Sequence, residues 1–262
     1  MNRLPAPSKE LGQHFLVDEN ILGVIERLAD LQPSDIVLEI GPGQGVLTAR
    51  LAERAAVVHA VELDRRLEPH LAQRFGAADN VHVHFVDALH FDPSTLDPPP
   101  TKLVANLPYS VATPIVVESL ESMPSVELWC VMVQREVADR FFAEPRTKAY
   151  GAVSVLMQLA TERTGWHPVS RSVFRPRPNV DSALVAFRRR ERPSEPPWAE
   201  LKRLVEGGFA HRRKRLANSL ELTGLSTRDR VGAALADLGR PETARAEELA
   251  PAEFVALAAA LR

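Results

Sequence analysis

Residues 104–116 read VANLPYSVATPIV, an apolar run that ends in Asn106-Leu107-Pro108-Tyr109. An amide, a proline and an aromatic ring at such an exit make either an ordinary turn with a packed tyrosine or a device for holding a flat, amine-bearing molecule. In the second reading the Asn106 carbonyl oxygen accepts from the amine N–H. Pro108 has a fixed φ and no N–H, so it aims neighbouring carbonyls inward. Tyr109 offers a face for stacking, worth about 1–3 kcal/mol per base in single-strand binders.

Upstream, VLEIGPGQGVL places glycines at 41, 43 and 45 between an expected strand and an expected helix. Glycines there bring the backbone close to a ligand and offer amide N–H groups at a helix start. The third glycine comes one residue too early for the dinucleotide fingerprint, and no Walker lysine follows, so hydride transfer and triphosphate chemistry both lose ground. Glu62 closes the next strand, where a carboxylate can accept from both ribose hydroxyls. Asp87 closes the third, to accept from an exocyclic adenine amine or to cap the turn that follows. Glycine turn, acid and acid at three successive strand ends describe an adenosine pocket.

With such a pocket beside the tetrad, the chemistry that fits is methyl transfer from a sulfonium donor to an adenine amine. That nitrogen's lone pair is delocalised into the ring; acceptors on its N–H groups favour a pyramidal nitrogen and free the pair. A base inside a helix is out of reach, so it must be flipped or unpaired. The alkylated nitrogen loses its proton readily, which leaves positioning and electrostatics as the protein's task.

The elements that must position these residues alternate. Helical spacing over 19–31 precedes strands at 35–40, 56–63, 81–89, 101–109 and 126–134, with helices over 46–54, 65–75, 113–122 and 136–142 between or after them. Residues 149–161 suit a helix by length, and 182–190 a final strand. This is an α/β domain with a mostly parallel sheet. The stretch RRRERPSEPPWAE then changes character, and a boundary near Pro193 divides a domain at 1–192 from a small helical one at 193–262. The latter reads as helices over 201–222, 230–239 and 251–262. His82 and His84 share a strand face, but no acid or cysteine completes a metal set.

Bulk properties agree. A chain of 262 residues can bury a full core. The one cysteine, Cys130, lies in an apolar stretch and reads as a buried thiol in a reducing compartment. No apolar run reaches the roughly 18 residues of a membrane helix, and no leader-like segment opens the chain. A cytoplasmic protein is expected. The net charge of −2 hides a gradient: −9 over residues 1–130, +6 over 131–190 and +1 over 191–262. The basic middle is either a solvated face or a surface for a polyanion.

GQHFL, VLEIGPGQGVLT, VELD, VDAL, NLPYSVATPIV, YGAVSVLMQ, VFRPRPNVDSA and FAHRRKRLANSL together resemble the ribosomal RNA adenine dimethylases, most nearly the small-subunit type. The likeness runs from about residue 11 to about 220. It implies a Rossmann-like, class I methyltransferase fold and S-adenosyl-L-methionine as donor. The implied reaction is N6,N6-dimethylation of two adjacent adenosines near the 3′ end of 16S rRNA, late in 30S subunit maturation, by a monomer.

Carried over by motif, His14, Leu16, Gly41 and Gly43 line the methionine side of the donor, although the family usually has asparagine where His14 stands. Glu62 and Leu63 take the ribose, and Asp87 and Ala88 the adenine. Asn106 sits between donor and target amine and counts among the donor-binding residues too, Leu107 stands beside it at the amine, and Phe174 faces Tyr109 across the base. Arg135, Arg140, Arg146, Lys148, Arg171, Arg175 and Arg177, with Arg212, Arg213, Lys214 and Arg215 in the helical domain, are expected on RNA phosphates. Two other readings remain open: a large-subunit dimethylase of the macrolide-resistance type, and a non-catalytic rRNA-binding assembly factor. Methylation of a protein glutamine fits poorly with Leu107 and with the basic segment.

Overall fold

The computed structural model describes residues 5–8 and 11–262. The chain forms two compact units. One comprises residues up to Ala138 together with Arg163–Arg189; the other comprises Asp139–Glu162 and Arg190–Arg262.

In chain order the elements of the first unit begin with β1 (Phe15–Leu16), α1 (Glu19–Ala29), β2 (Ile36–Ile40), α2 (Val46–Ala52) and β3 (Val57–Glu62). α3 (Glu68–Phe75), β4 (Val81–Phe85), β5 (Lys102–Asn106), α4 (Ala112–Ser122), β6 (Leu128–Gln134) and α5 (Arg135–Phe141) follow. The chain crosses to the second unit within α5, forms α6 (Ala152–Ala160), and returns along β7 (Thr161–Val169) to make β8 (Phe174–Arg175) and β9 (Ser182–Arg189). The second unit is completed by α7 (Trp198–Ala210), α8 (Leu216–Leu222), α9 (Arg228–Asp237) and α10 (Pro251–Ala260).

Seven strands form one sheet in the order β4-β3-β2-β5-β6-β9-β7, and β1 pairs with β8 in a small separate ribbon. β4 through β6 run parallel, whereas β9 is antiparallel to β6. The strand order reverses between β2 and β5, and in such sheets ligands bind in the crevice beyond the carboxyl ends at that point. The central parallel strands are mostly apolar and buried, with polar residues such as Glu39, Glu62 and Asn106 near their carboxyl ends. Cys130 lies wholly buried among them, its thiol pushed up to about 12 by burial.

A buried cation locks α1 to this sheet. Asp18 caps the start of α1 by accepting from Asn20 and Ile21 N–H. At its end Lys102 Nζ donates to the Ala29 carbonyl at 3.0 Å and to that of Asp30, and pairs with Asp35 at 2.7 Å. A lysine there satisfies carbonyls that the helix leaves without a partner.

The structure differs from the sequence reading at three places, the first of them a strand over residues to which no element was assigned. β7 carries Gly165 and Pro168, which argue against a strand by composition; it lies at the sheet edge, where a missing N–H costs no ladder bond. The expected helix over 201–222 is two helices. His211, Arg212, Arg213, Lys214 and Arg215 put like charges one turn apart, and Ser219 Oγ replaces the broken backbone pattern by donating to Gly207 O and accepting from His211 N. Residues 139–162 group with the helical unit, although the last two of them open β7. There Tyr150 donates its hydroxyl to Leu249 O at 2.7 Å and meets Phe209 edge-on, so α6 takes its place in the helical core.

Candidate active site

A cavity of about 220 Å³ opens at the carboxyl ends of β2, β3 and β5, within the first unit. Of the expected donor and target residues, His14, Leu16, Gly41, Gly43, Glu62, Leu63, Asp87, Ala88, Asn106, Leu107 and Tyr109 all line it.

Glu62 sits at the centre of one wall and is buried. Gly43 N–H donates to its Oε2 at 3.0 Å and Asp64 N–H to its Oε1 at 2.9 Å. Burial raises the carboxyl pKa against these bonds. The glycine turn therefore does something other than present amides to a ligand. Gly41 N–H goes to Val61 O, Gly43 N–H to Glu62, and Gly45 N–H to Pro42 O. Its glycines serve conformation and space instead. Gly43 has φ +56°, and a Cβ there would lie 2.8 Å from the Phe15 ring. Gly45, at φ +74°, would set a Cβ 2.5 Å from Phe75.

Behind the turn, Glu39 is fully enclosed and accepts from Thr48 Oγ1 at 2.6 Å. Burial pushes its carboxyl up to about 8, with the charge of Glu62 adding to the effect. Asp64 is the opposite case. Arg66 and Gln13 bond its carboxylate and hold it down at about 2. Gln13 also accepts from Ser8 N–H, so it ties the N-terminal segment to the end of β3. Glu39, Asp64 and Gln13 were not singled out from the sequence. Asp64 was within reach, two residues after Glu62 in VELD, whereas Gln13 and Glu39 gain meaning only from the packing.

On the opposite side, Asn106 Nδ2 donates to the backbone carbonyl of His14 at 3.2 Å. The bond fixes the amide plane and leaves its carbonyl oxygen as an acceptor. His14 contributes through its main chain; its ring nitrogen Nδ1 bonds Pro176 O at 2.8 Å, and the ring lies 5.7 Å from that of Tyr109. Asp87 accepts from Leu89 N–H at 2.9 Å, which is the turn-capping reading, and from His90 at 3.1 Å. It lines the cavity as well.

Phe174 is placed elsewhere. It is fully buried, pairs with Leu16 across the β1–β8 ribbon and packs into the sheet core, and it forms no wall of the cavity. The ribbon register turns its side chain inward. Among the expected RNA contacts, Arg135, Arg171, Arg175 and Arg177 are exposed in the first unit, and Arg146, Lys148, Arg213, Lys214 and Arg215 in the second; Arg140 is half-buried. Arg212 departs from expectation: its guanidinium is engaged by Glu247 at 3.0 Å and by Lys148 O at 2.8 Å. His82 and His84 meet a third imidazole, His59, whose Nδ1 lies 3.3 Å from His84 Nε2.

The wall chemistry fits S-adenosylmethionine. Glu62 accepts from backbone N–H groups on both oxygens and presents its carboxylate to the cavity, where it can accept from a ribose hydroxyl. Leu63, half exposed at the rim, together with Val86, Ala88 and Leu89, offers an apolar slot for a purine.

A family model for ribosomal RNA adenine dimethylases matches residues 7–258. The ribosomal RNA small subunit methyltransferase A of Rubrobacter xylanophilus is 50% identical, covering 97% of this chain and 95% of the relative. Its counterpart in Ligilactobacillus salivarius is 42% identical, covering 97% and 89%. Among solved structures, a dimethyladenosine transferase from Plasmodium falciparum superposes with a TM-score of 0.75 at 24% identity, over 93% of this chain and 96% of that one, which is a likeness of fold. The 23S rRNA methyltransferase ErmE gives 0.66 at 32% identity, over 94% and 99%. With this fold, this cavity and these relatives, the chain belongs to the ribosomal RNA adenine dimethylases, S-adenosylmethionine-dependent enzymes that methylate adenine in ribosomal RNA.

Proposed function

We propose that this enzyme dimethylates two adjacent adenosines near the 3′ end of 16S rRNA within an assembling 30S subunit in the cytoplasm. The observation that carries the reading is the Asn106 amide, oriented by the His14 carbonyl inside the cavity that also presents Glu62. The small-subunit methyltransferases support the reading through identities of 50% and 42%, against 32% for the 23S rRNA methyltransferase ErmE.

When bound, S-adenosylmethionine supplies a methyl group on a positively charged sulfur. Glu62 would hold its ribose, and the apolar slot around Leu63 and Ala88 its base, with Asp87 at the edge. The Asn106 carbonyl oxygen accepts from the N–H of the target amine, which draws the nitrogen toward a pyramidal geometry and localises its lone pair. Leu107 is buried and its N–H donates to Met132 O at 3.1 Å, so the strand exit is anchored while Pro108 turns it. Tyr109 stacks on the flipped adenine. The alkylated nitrogen gives its proton to water. The exposed cations of both units contact phosphates, which position the RNA without reading its sequence.

The test is incubation of the protein with 30S particles lacking these methyl groups, followed by mass spectrometry of nucleosides and primer extension. Two adjacent dimethyladenosines near the 16S 3′ end are expected. Modification confined to 23S rRNA would overturn the assignment, and no modification with retained RNA binding would favour an assembly factor.

A further inference from the structure

Tyr109 is held at its far end. Its hydroxyl oxygen lies 2.6 Å from Ser182 Oγ, and Ser182 is fully buried as the first residue of β9. The preceding residue is fixed as well: Asp181 O accepts from Arg135 N–H at 3.1 Å, and Asp181 Oδ1 from Arg171 N–H at 3.1 Å. Burial raises the Tyr109 phenol pKa, so the hydroxyl stays protonated and able to make the bond at neutral pH. A tyrosine ring has two side-chain torsions. With the backbone anchored by the strand exit and the hydroxyl by Ser182, neither torsion is free. His14 stands beside the same ring, and its ring is itself bonded to Pro176 O.

We propose that Ser182 is a positioning residue for the methylation: its hydroxyl fixes the plane of the Tyr109 ring and so sets how long the target adenine stays seated, not how tightly the methyl donor is held. This rests on Tyr109 as the stacking surface for the base. Two methyl groups must reach one nitrogen, each replacing an N6 proton that is lost to water, and the spent donor must be exchanged between rounds. A base that leaves during the exchange departs with one methyl. A loosened ring therefore shows itself in the product, as monomethyladenosine.

The experiment compares Ser182→Ala, Tyr109→Phe, the double variant and Tyr109→Ala on rRNA particles, with donor binding measured by calorimetry. Ser182→Ala and Tyr109→Phe are each expected to raise KM for the RNA about fivefold, the effect of one lost hydrogen bond. Each should also raise the monomethyl share, with donor affinity unchanged within about twofold. The double variant should be no worse than either single, because both remove the same bond. Independent effects that multiply to about 25-fold, or donor affinity that falls in step, would overturn the proposal. Should Ser182→Ala lose its fold, Tyr109→Phe decides alone: wild-type KM and product ratio refute the latch, and the stated changes uphold it. If Tyr109→Ala disables methylation while both milder variants are normal, the latch fails and the stacking role stands. If Tyr109→Ala is itself normal, the stacking role fails too.

Discussion

The two walls of the cavity are built in different ways. On the donor wall the decisive bonds are local: Glu62 is held by Gly43, 19 residues away, and by Asp64, two away, and Glu39 is held by Thr48 at a separation of nine. On the base wall they span the chain. Asn106 relies on His14 across 92 residues, and Tyr109 on Ser182 across 73. The Glu62 part of the donor wall thus belongs to one continuous βαβ stretch, whereas the base wall is assembled by the closure of the whole unit. Binding of donor and handling of the base should therefore respond separately to mutation.

The largest expected effect falls on the base wall. Asn106→Ala should lower kcat for methyl transfer by about 10²–10³-fold, the scale for removing one preorganised polar group, while calorimetry gives donor affinity within about twofold of wild type. A parallel loss of donor binding would erase the division between the walls. The reciprocal variant, Glu62→Gln, should weaken donor binding about 10- to 100-fold, since hydrogen bonds to a charged acceptor are worth about 1.5–3 kcal/mol. RNA affinity should hold in a filter-binding assay.

Glu39 sharpens the comparison from beneath. Its folded-state pKa of about 8 stands above the ordinary 4.5. The folded protein therefore binds more protons between those values, and stability falls as pH rises through that window. Glu39→Gln keeps the Thr48 bond without the ionisation. A rise from 4.5 to about 8 is worth about 5 kcal/mol at most, so the variant's melting temperature at pH 8 should exceed wild type by about 10 °C, and the difference should close toward pH 4.5. An unchanged pH dependence would show that Glu39 is not the group involved.

The smallest effects lie among the cations of the second unit. Arg213→Ala or Lys214→Ala should each reduce the salt slope of RNA binding by about 1. Arg212→Ala should instead lower the melting temperature and leave the slope alone, because Glu247 and Lys148 O occupy that side chain. Equal slopes for all three would put Arg212 back on the RNA.

The contrast between the walls also explains what could be read from the residues in order. Strand–helix alternation, the glycine turn and the acids at strand ends are local patterns, and these marked the donor wall and the sheet. The tetrad was legible as chemistry, but its supports were not: nothing near Asn106 points to the His14 carbonyl, and nothing near Tyr109 points to Ser182. Phe174 was misread for the same reason, since its inward direction depends on the two-residue pairing of β1 with β8. β7 hid behind a glycine and a proline that only an edge position tolerates. The strand at 81–89 was drawn too long because Asp87 opens a turn after β4 ends at Phe85.

The long reach of the bonds on the base wall has a consequence for biosynthesis. As the polypeptide leaves the ribosome, the donor wall gains its last residues with 86–89. His14 must wait for Pro176, and Tyr109 for Ser182, far later in translation. The residues that hold the methyl donor are therefore all made well before the base wall can close, and competence to modify RNA arrives among the last events in the maturation of the catalytic unit.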